Sequence, residues 1–288
     1  MDALKIILNL ILSFFRKYNY SSPVSISDPQ DNSENIDDQD DASTSETIRT
    51  DQEDNGSKPT DIEMADYSKL MVHLDNGHGK ATPGKRSPSA TTRKGYKNYT
   101  AEQLKIYEYE YNRLVVKRVD AELRKLGFKT YIVTPEVEGD VGLTVRANRS
   151  NDMVRKNPNL HHIFISAHLN AAGDGVTWYT GGNASYWCAY TSKGQTKGDK
   201  LADCFYDAAE EVLKPFGKKI KTDMSDGDKD IEENFTVIAK TSSPAILVES
   251  LFMTNVDDVL FLKSDQGLNA IVDIYVKGII KYYDKYIK

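Results

Sequence analysis

Cysteine is scarce in this 288-residue chain: there are two, Cys188 and Cys204. A disulfide-stapled scaffold needs more of them in a shorter sequence, and no Cys-x-x-Cys pair exists to hold a metal through thiolates. Both read as free, largely buried thiols. Long apolar runs are missing too, since a bilayer-crossing helix needs roughly 20 apolar residues. There is no basic stripe and no nucleic-acid motif, which excludes the electrostatic footprint of a DNA or RNA binder. Hydrophobic residues make up 39% of the chain, below the roughly 45–50% of globular proteins, and the deficit is local. Residues 28–54 hold eleven acidic residues against Arg49 alone, a net −10, while the whole chain is −6. Everything outside that stretch therefore carries +4, and the pI near 5.5 describes a tail rather than a fold.

What is present falls into three regions. Residues 1–20 contain an apolar run, 3–15, interrupted by Lys5, Asn9 and Ser13. Their spacing of four puts them on one stripe of a helix. Arg16 and Lys17 follow the run rather than precede it, which argues against an ordinary signal peptide. The segment reads as a membrane-interface helix, with a divergent export signal or a partner-packing helix as the other readings. Residues 21–65 are rich in Asp, Ser, Asn, Gln and Thr, a composition that cannot bury enough apolar surface to offset its ordering entropy; a disordered acidic linker is expected. Residues 66–288 form the expected folded domain.

Within that domain the patterning predicts strands at 70–75, 128–133, 163–166, 184–190, 235–239 and 245–249. Helices are expected at 101–126, closed by Gly127, and at 143–155, 197–213 and 266–286. Strands alternating with helices of this length imply an α/β fold, a single domain with a twisted, mostly parallel or mixed sheet flanked by helices. Sites in such sheets gather at the carboxyl ends of strands.

Five histidines are candidates for chemistry: His73, His78, His161, His162 and His168. His78 follows a strand directly in Leu74-Asp75-Asn76-Gly77-His78-Gly79, where flanking glycines permit a sharp turn and leave the ring open. His168 ends the strand Ile163-Phe164-Ile165-Ser166-Ala167-His168, as a ligand or as a core histidine bonded to a carbonyl. His161 and His162 point to opposite faces of a strand and read as surface residues, and His73 reads as a packing or supporting residue. Two histidines and a carboxylate with one open position make a catalytic zinc arrangement. Glu108 and Glu110 both offer the carboxylate, and the helix stripe decides between them. Asn112, Val115, Val119, Leu123 and Leu126 recur at spacings of three and four, and Glu108 extends them back one turn, whereas Glu110 faces solvent with Lys117. A buried glutamate needs a partner, and a metal supplies one. Glu249 ends the apolar run Ala245-Ile246-Leu247-Val248, as a general base or as a salt-bridge partner of Arg146.

These motifs together resemble the zinc-dependent N-acetylmuramoyl-L-alanine amidases of the amidase-3 type. The resemblance rests on Leu74 through Gly79, Glu108 with Asn112, Leu143 with Arg146 and Asn151, Ser166-Ala167-His168-Leu169-Asn170, and Leu247-Val248-Glu249 with Phe252 and Asn255. It spans roughly residues 70–285. It implies an α/β fold, one Zn2+ per chain held by His78, Glu108 and His168, and Glu249 as the catalytic carboxylate. It also implies hydrolysis of the amide between N-acetylmuramic acid and L-alanine of peptidoglycan. Arg146, Asn170, Asn112 and Trp178 are candidates for supporting the ligands or touching substrate. Trp178 and Tyr179 read as an aromatic rim, with a core role for Trp178 as the other reading. The Gly-, Lys- and Ser-rich insertion 80–100 lies where it would line or cover the site. The expected partner is peptidoglycan, with membrane-surface contact through residues 1–17, no nucleic acid, a monomeric state, and a place in the bacterial cell envelope. A zinc peptidase or deacylase acting on another amide, or a non-catalytic wall-binding module, are the alternatives.

Overall fold

The computed structural model of the protein describes residues 65–89, 99–182 and 184–288. The expectations for residues 1–20, and for all but the last residue of the acidic linker, lie outside them, as does the centre of the 80–100 insertion. Among the described residues no helix is long and apolar enough to cross a membrane.

Six strands form one mixed sheet: β1 Leu70–Asn76, β2 Lys129–Ile132, β3 His161–Asn170, β4 Trp187–Thr191, β5 Ile231–Glu232 and β6 Ala245–Phe252, in the order β2-β1-β3-β6-β4-β5. β1, β2, β3 and β6 run parallel, β4 is antiparallel to β6, and β5 is parallel to β4. The central strands β1, β3 and β6 are near-continuous apolar runs because helices cover both faces. Those helices are α1 Ala101–Leu104, α2 Glu108–Lys125, α3 Leu143–Lys156, α4 Lys197–Leu213, α5 Thr236–Ala239, α6 Val256–Lys263 and α7 Asp265–Tyr286.

Side-chain alternation sorts the sheet into two unequal faces. Val72, Leu74, Ile163, Ile165, Ile246 and Val248 join the large core together with buried residues of α2, α4 and α7. α4 and α7 approach closely at Gly278, where a Cβ would lie 2.6 Å from the Phe205 ring. Phe164, Ala245 and Leu247 point the other way, into a small core with Val133, Val237 and Ile238. Along this second face the register pairs Asp75 with Ser166 and His168 with Glu249. Beyond Phe164 and Leu247, then, the second face changes from apolar to polar as it nears the strands' carboxyl ends.

Three expectations are corrected. The helix expected over 101–126 is two helices, because residues 86–87 pair with 106–107: Ser87 N–H donates to Ile106 O at 2.9 Å, and Ile106 N–H donates to Ser87 Oγ at 3.1 Å. Helical hydrogen bonding is interrupted there, and α2 begins at Glu108 itself. Residues 235–239, expected as a strand, hold instead the short helix α5 over Thr236–Ala239, with Phe235 at its N-cap position; burial of Val237 and Ile238 in the small core overrides their β-branched preference. His162 is not a surface residue. It is buried between His73 Nε2, 2.9 Å from its Nδ1, and Asn157 O, 2.9 Å from its Nε2. His73 in turn meets Ser150 Oγ at 2.7 Å, and burial, then His162, push its pKa down to about 3. His161 is exposed, and both cysteines are buried and free.

Candidate metal centre and active site

The carboxyl ends of β1, β3 and β6 bring His78, His168 and Glu249 together, and the first turn of α2 adds Glu108. His78 sits just past β1 with φ +63°, in the left-handed region that side chains rarely adopt. Three contacts hold it there. Gly77 N–H donates to Ala167 O at 2.9 Å. Asn112 Nδ2 donates to Gly77 O at 3.2 Å, and Arg113 donates to His78 O at 3.2 Å. Gly77 is also required by space, because a Cβ there would come within 2.4 Å of His168 Cε1 and 2.5 Å of Ala167 O.

Glu108 is buried at the centre of the group. Its Oε1 accepts from Leu169 N–H at 3.1 Å and lies 3.0 Å from His168 Nδ1 and 3.3 Å from His78 Nε2. The two imidazoles meet edge to face with centroids 4.8 Å apart. Burial alone would raise the Glu108 carboxyl, but the hydrogen bonds from His168 and His78 hold it well below the usual carboxylate range. Burial lowers the His78 pKa despite Glu108. His168 is raised, since Glu108 outweighs the effect of burial.

Nitrogen and oxygen atoms of His78, Glu108 and His168 lie within 4.8 Å of one another, a group that could hold a metal ion. Two tests of fit are met. The donor set, two imidazoles and a carboxylate, suits zinc with a position left open. The second oxygen of Glu108, Oε2, is buried with no hydrogen-bond partner, a costly state that a cation would relieve. Tetrahedral zinc ligands at about 2.0–2.2 Å stand roughly 3.4 Å apart, close to the 3.0 and 3.3 Å that separate Glu108 Oε1 from the two ring nitrogens.

Glu249 stands beside His168 on the adjacent strand. Burial pushes its carboxyl up to about 8, against the pull of His168, and Glu108 adds to the rise. Its Oε2 is buried without a partner. Arg146 does not pair with it. The Arg146 guanidinium is buried under β1, where it donates to Asp75 Oδ1 at 2.8 Å and to Asn76 O at 2.6 Å, while Nε donates to Val141 O at 2.7 Å. It braces the end of β1. Leu251, two residues past Glu249, has φ +67° where the β3–β6 register shifts.

The remaining candidates are placed as follows. Asn112 supports the His78 turn. Asn170 lies partly exposed at the end of β3, its Oδ1 accepting from Ala171 N–H at 2.8 Å. Trp178 is buried, its Nε1 donating to Ser89 O at 3.0 Å, so its ring is a packing element and not an open rim. Arg113 and the role of the Leu169 N–H escaped the sequence reading, whereas Gly77 was read there as a turn glycine. Arg113 is the residue next to Asn112, and that adjacency was its one signal. A cleft of about 430 Å3 between residues 84–89, Leu104–Tyr107 and Gly175–Val176 adjoins the start of α2.

Comparison with known proteins bears on the fold and the family. An endolysin of Bacillus phage SPP1 is 27% identical over 209 residues, which is 73% of this chain and 64% of the phage protein; the chain thus spans under two thirds of that relative's length. An N-acetylmuramyl-L-alanine amidase from Mycobacterium smegmatis shares the fold with a TM-score of 0.57 at 19% identity, over 76% of this chain and 99% of that one. The N-acetylmuramoyl-L-alanine amidase of Clostridium difficile 630 gives 0.54 at 21% identity, over 76% and 99%. Residues 72–281 match the amidase-3 family, described as N-acetylmuramoyl-L-alanine amidase, and the chain belongs to that family.

Proposed function

We propose that this chain hydrolyses the amide bond between N-acetylmuramic acid and the first L-alanine of the peptidoglycan stem peptide, with His78, Glu108 and His168 holding a zinc ion and Glu249 as the catalytic carboxylate. The observation that carries the reading is the meeting of these four side chains, from four separate elements, inside the stretch that matches the family. Zinc, when bound, supplies Lewis acidity that brings the pKa of a water molecule towards 7 and polarises the amide carbonyl.

The protein residues do the rest. Glu108 stands between the two imidazoles, and Leu169 N–H fixes its carboxylate there. Glu249 Oε2, with no partner of its own, takes the proton from the attacking water. The same oxygen delivers it to the leaving nitrogen of L-alanine, so one carboxyl serves as base and then acid. Peptidoglycan as substrate puts the site of action at the bacterial cell envelope, with residues 1–17 as a membrane-surface contact.

Digestion of purified peptidoglycan tests the reading. New L-alanine amino groups should appear with no new reducing sugar ends. Reducing ends without new amines would identify a glycosidase and sink the proposal.

A further inference from the structure

A second group of carboxylates converges far from His78, Glu108 and His168. β4 runs antiparallel to β6, so its carboxyl end lies at the opposite end of the sheet from Glu249. There Asp199 of α4 joins Asp228 and Asp230, which precede β5, with oxygens of all three within 4.8 Å of one another. Asp230 is only 1% exposed. Its Oδ2 accepts from the Thr191 hydroxyl, and its Oδ1 has no partner. Asp228 Oδ1 is likewise buried and unpartnered. Asp199 accepts from Thr196 Oγ1 and Thr196 N–H, each at 2.6 Å, and each of its oxygens retains lone pairs for a further contact.

Charge in the neighbouring loop does not resolve the crowding. Residues 223–230 contain Asp223, Asp226, Asp228 and Asp230 against one basic residue, Lys229. The Lys229 ammonium turns instead to Asp207 at 3.1 Å and Glu210 at 3.0 Å on α4. Buried carboxylate oxygens with neither a donor nor a counter-charge are costly, so something must occupy the space between them.

We propose that Asp199, Asp228 and Asp230 form a structural site for a hard divalent cation of calcium size, which ties the 223–230 loop and β5 to the end of β4 and the start of α4. The donors are all oxygens, the choice of calcium or magnesium and not of zinc or copper. Oxygens around calcium lie about 2.3–2.6 Å from the ion, so opposite ligands stand up to about 5 Å apart, whereas magnesium at about 2.0–2.1 Å would demand contraction. Thr191, which holds Asp230, is paired through β4 with Glu232 of β5, so an ion here would fasten a two-residue edge strand that has little else to hold it. The rival occupant is a proton shared by Asp228 and Asp230. Burial, and then Asp228 against the pull of Thr191, push Asp230 up to about 7, the mark of crowded carboxylates that a cation or a shared proton would relieve.

The test uses the full chain, zinc-loaded and washed free of other metals, titrated with CaCl2 by calorimetry and followed by thermal melting. One calcium per chain should bind with Kd below about 1 mM. The melting midpoint should rise by a few degrees at 10 mM CaCl2, and by less in MgCl2. Asp228→Asn, chosen because Asp228 is partly exposed, should weaken calcium binding at least ten-fold and abolish the rise, while the exposed Asp226→Asn on the same loop should keep both. An unchanged midpoint in CaCl2, or an Asp228→Asn protein that responds as the parent does, would assign the space to the shared proton and overturn the proposal. Amidase activity is not part of the readout, so this result stands or falls independently of the proposed reaction.

Discussion

His168 and Glu249 are partners in register on adjacent parallel strands, and both side chains emerge on the smaller face of the sheet. A parallel ladder sets neighbouring side chains about 5 Å apart, so the distance between the proposed metal-binding imidazole and the proposed proton-transferring carboxylate is a property of the backbone rather than of a loop. The roles of the two can be separated because only one needs to touch the ion.

Glu249→Gln keeps the shape and removes the proton-carrying capacity. Zinc content by atomic absorption should stay near one per chain, while turnover on peptidoglycan falls by about 10²- to 10⁴-fold. Loss of zinc together with activity would make Glu249 a ligand and overturn the division of roles.

Gly77→Ala tests how tightly the turn is built. The new Cβ would sit 2.4 Å from His168 Cε1 and 2.5 Å from Ala167 O, a backbone atom, so the imidazole must move. Zinc affinity should drop roughly 10- to 100-fold, the range seen when groups behind a ligand are disturbed. Circular dichroism should report an intact fold, since Gly77 lies beyond the last residue of β1.

Arg146→Ala would strand the buried carboxylate of Asp75, which then keeps only the Ser166 hydroxyl at 2.7 Å and the Thr134 hydroxyl at 3.3 Å. Breaking a buried pair from one side costs about 3–5 kcal/mol, measurable as a lowered urea midpoint. Arg146→Lys should recover part of it, because a single ammonium cannot serve Asp75, Asn76 O and Val141 O together.

Asp273, on α7, is raised from 3.8 to about 6, chiefly by burial, against the opposing pull of Lys277. An acid whose folded pKa is raised costs stability wherever it is ionised. The cost is absent below about pH 4, grows as pH rises through the window between 3.8 and about 6, and is complete above it. Asp273→Asn should therefore stabilise the protein at pH 7–8 by on the order of 1–2 kcal/mol, with the advantage vanishing near pH 4 in matched thermal melts.

Legibility in the sequence followed the reach of each cause. Glu108 could be told from Glu110 because a helical stripe is a local periodicity, and the buried position of Glu108 agrees with it. β1, β3, β6, α3, α4 and α7 are long, strongly patterned segments, and each stands within a few residues of its expected bounds. The break at Lys105–Tyr107 was not readable, since it arises from pairing with residues twenty positions away and no glycine or proline marks it. α5 misled for a related reason: Val237 and Ile238 favour strands in isolation, and only the small core makes a helix of them. His162 looked like half of an exposed pair until His73 and Asn157 closed around it. The positive φ of Leu251, in a residue type that resists it, likewise has no local signature.

The four groups of the proposed centre stand at positions 78, 108, 168 and 249, and the last arrives on a strand that inserts between β3 and β4. Pairing over such separations is late and slow to form. A chain still emerging from the ribosome, or clipped before residue 249, lacks the proposed proton carrier however well its first strands have folded. On the proposed assignment, catalytic competence is thus itself a report that the central strand has been delivered, and copies of the chain that end before that strand stay silent.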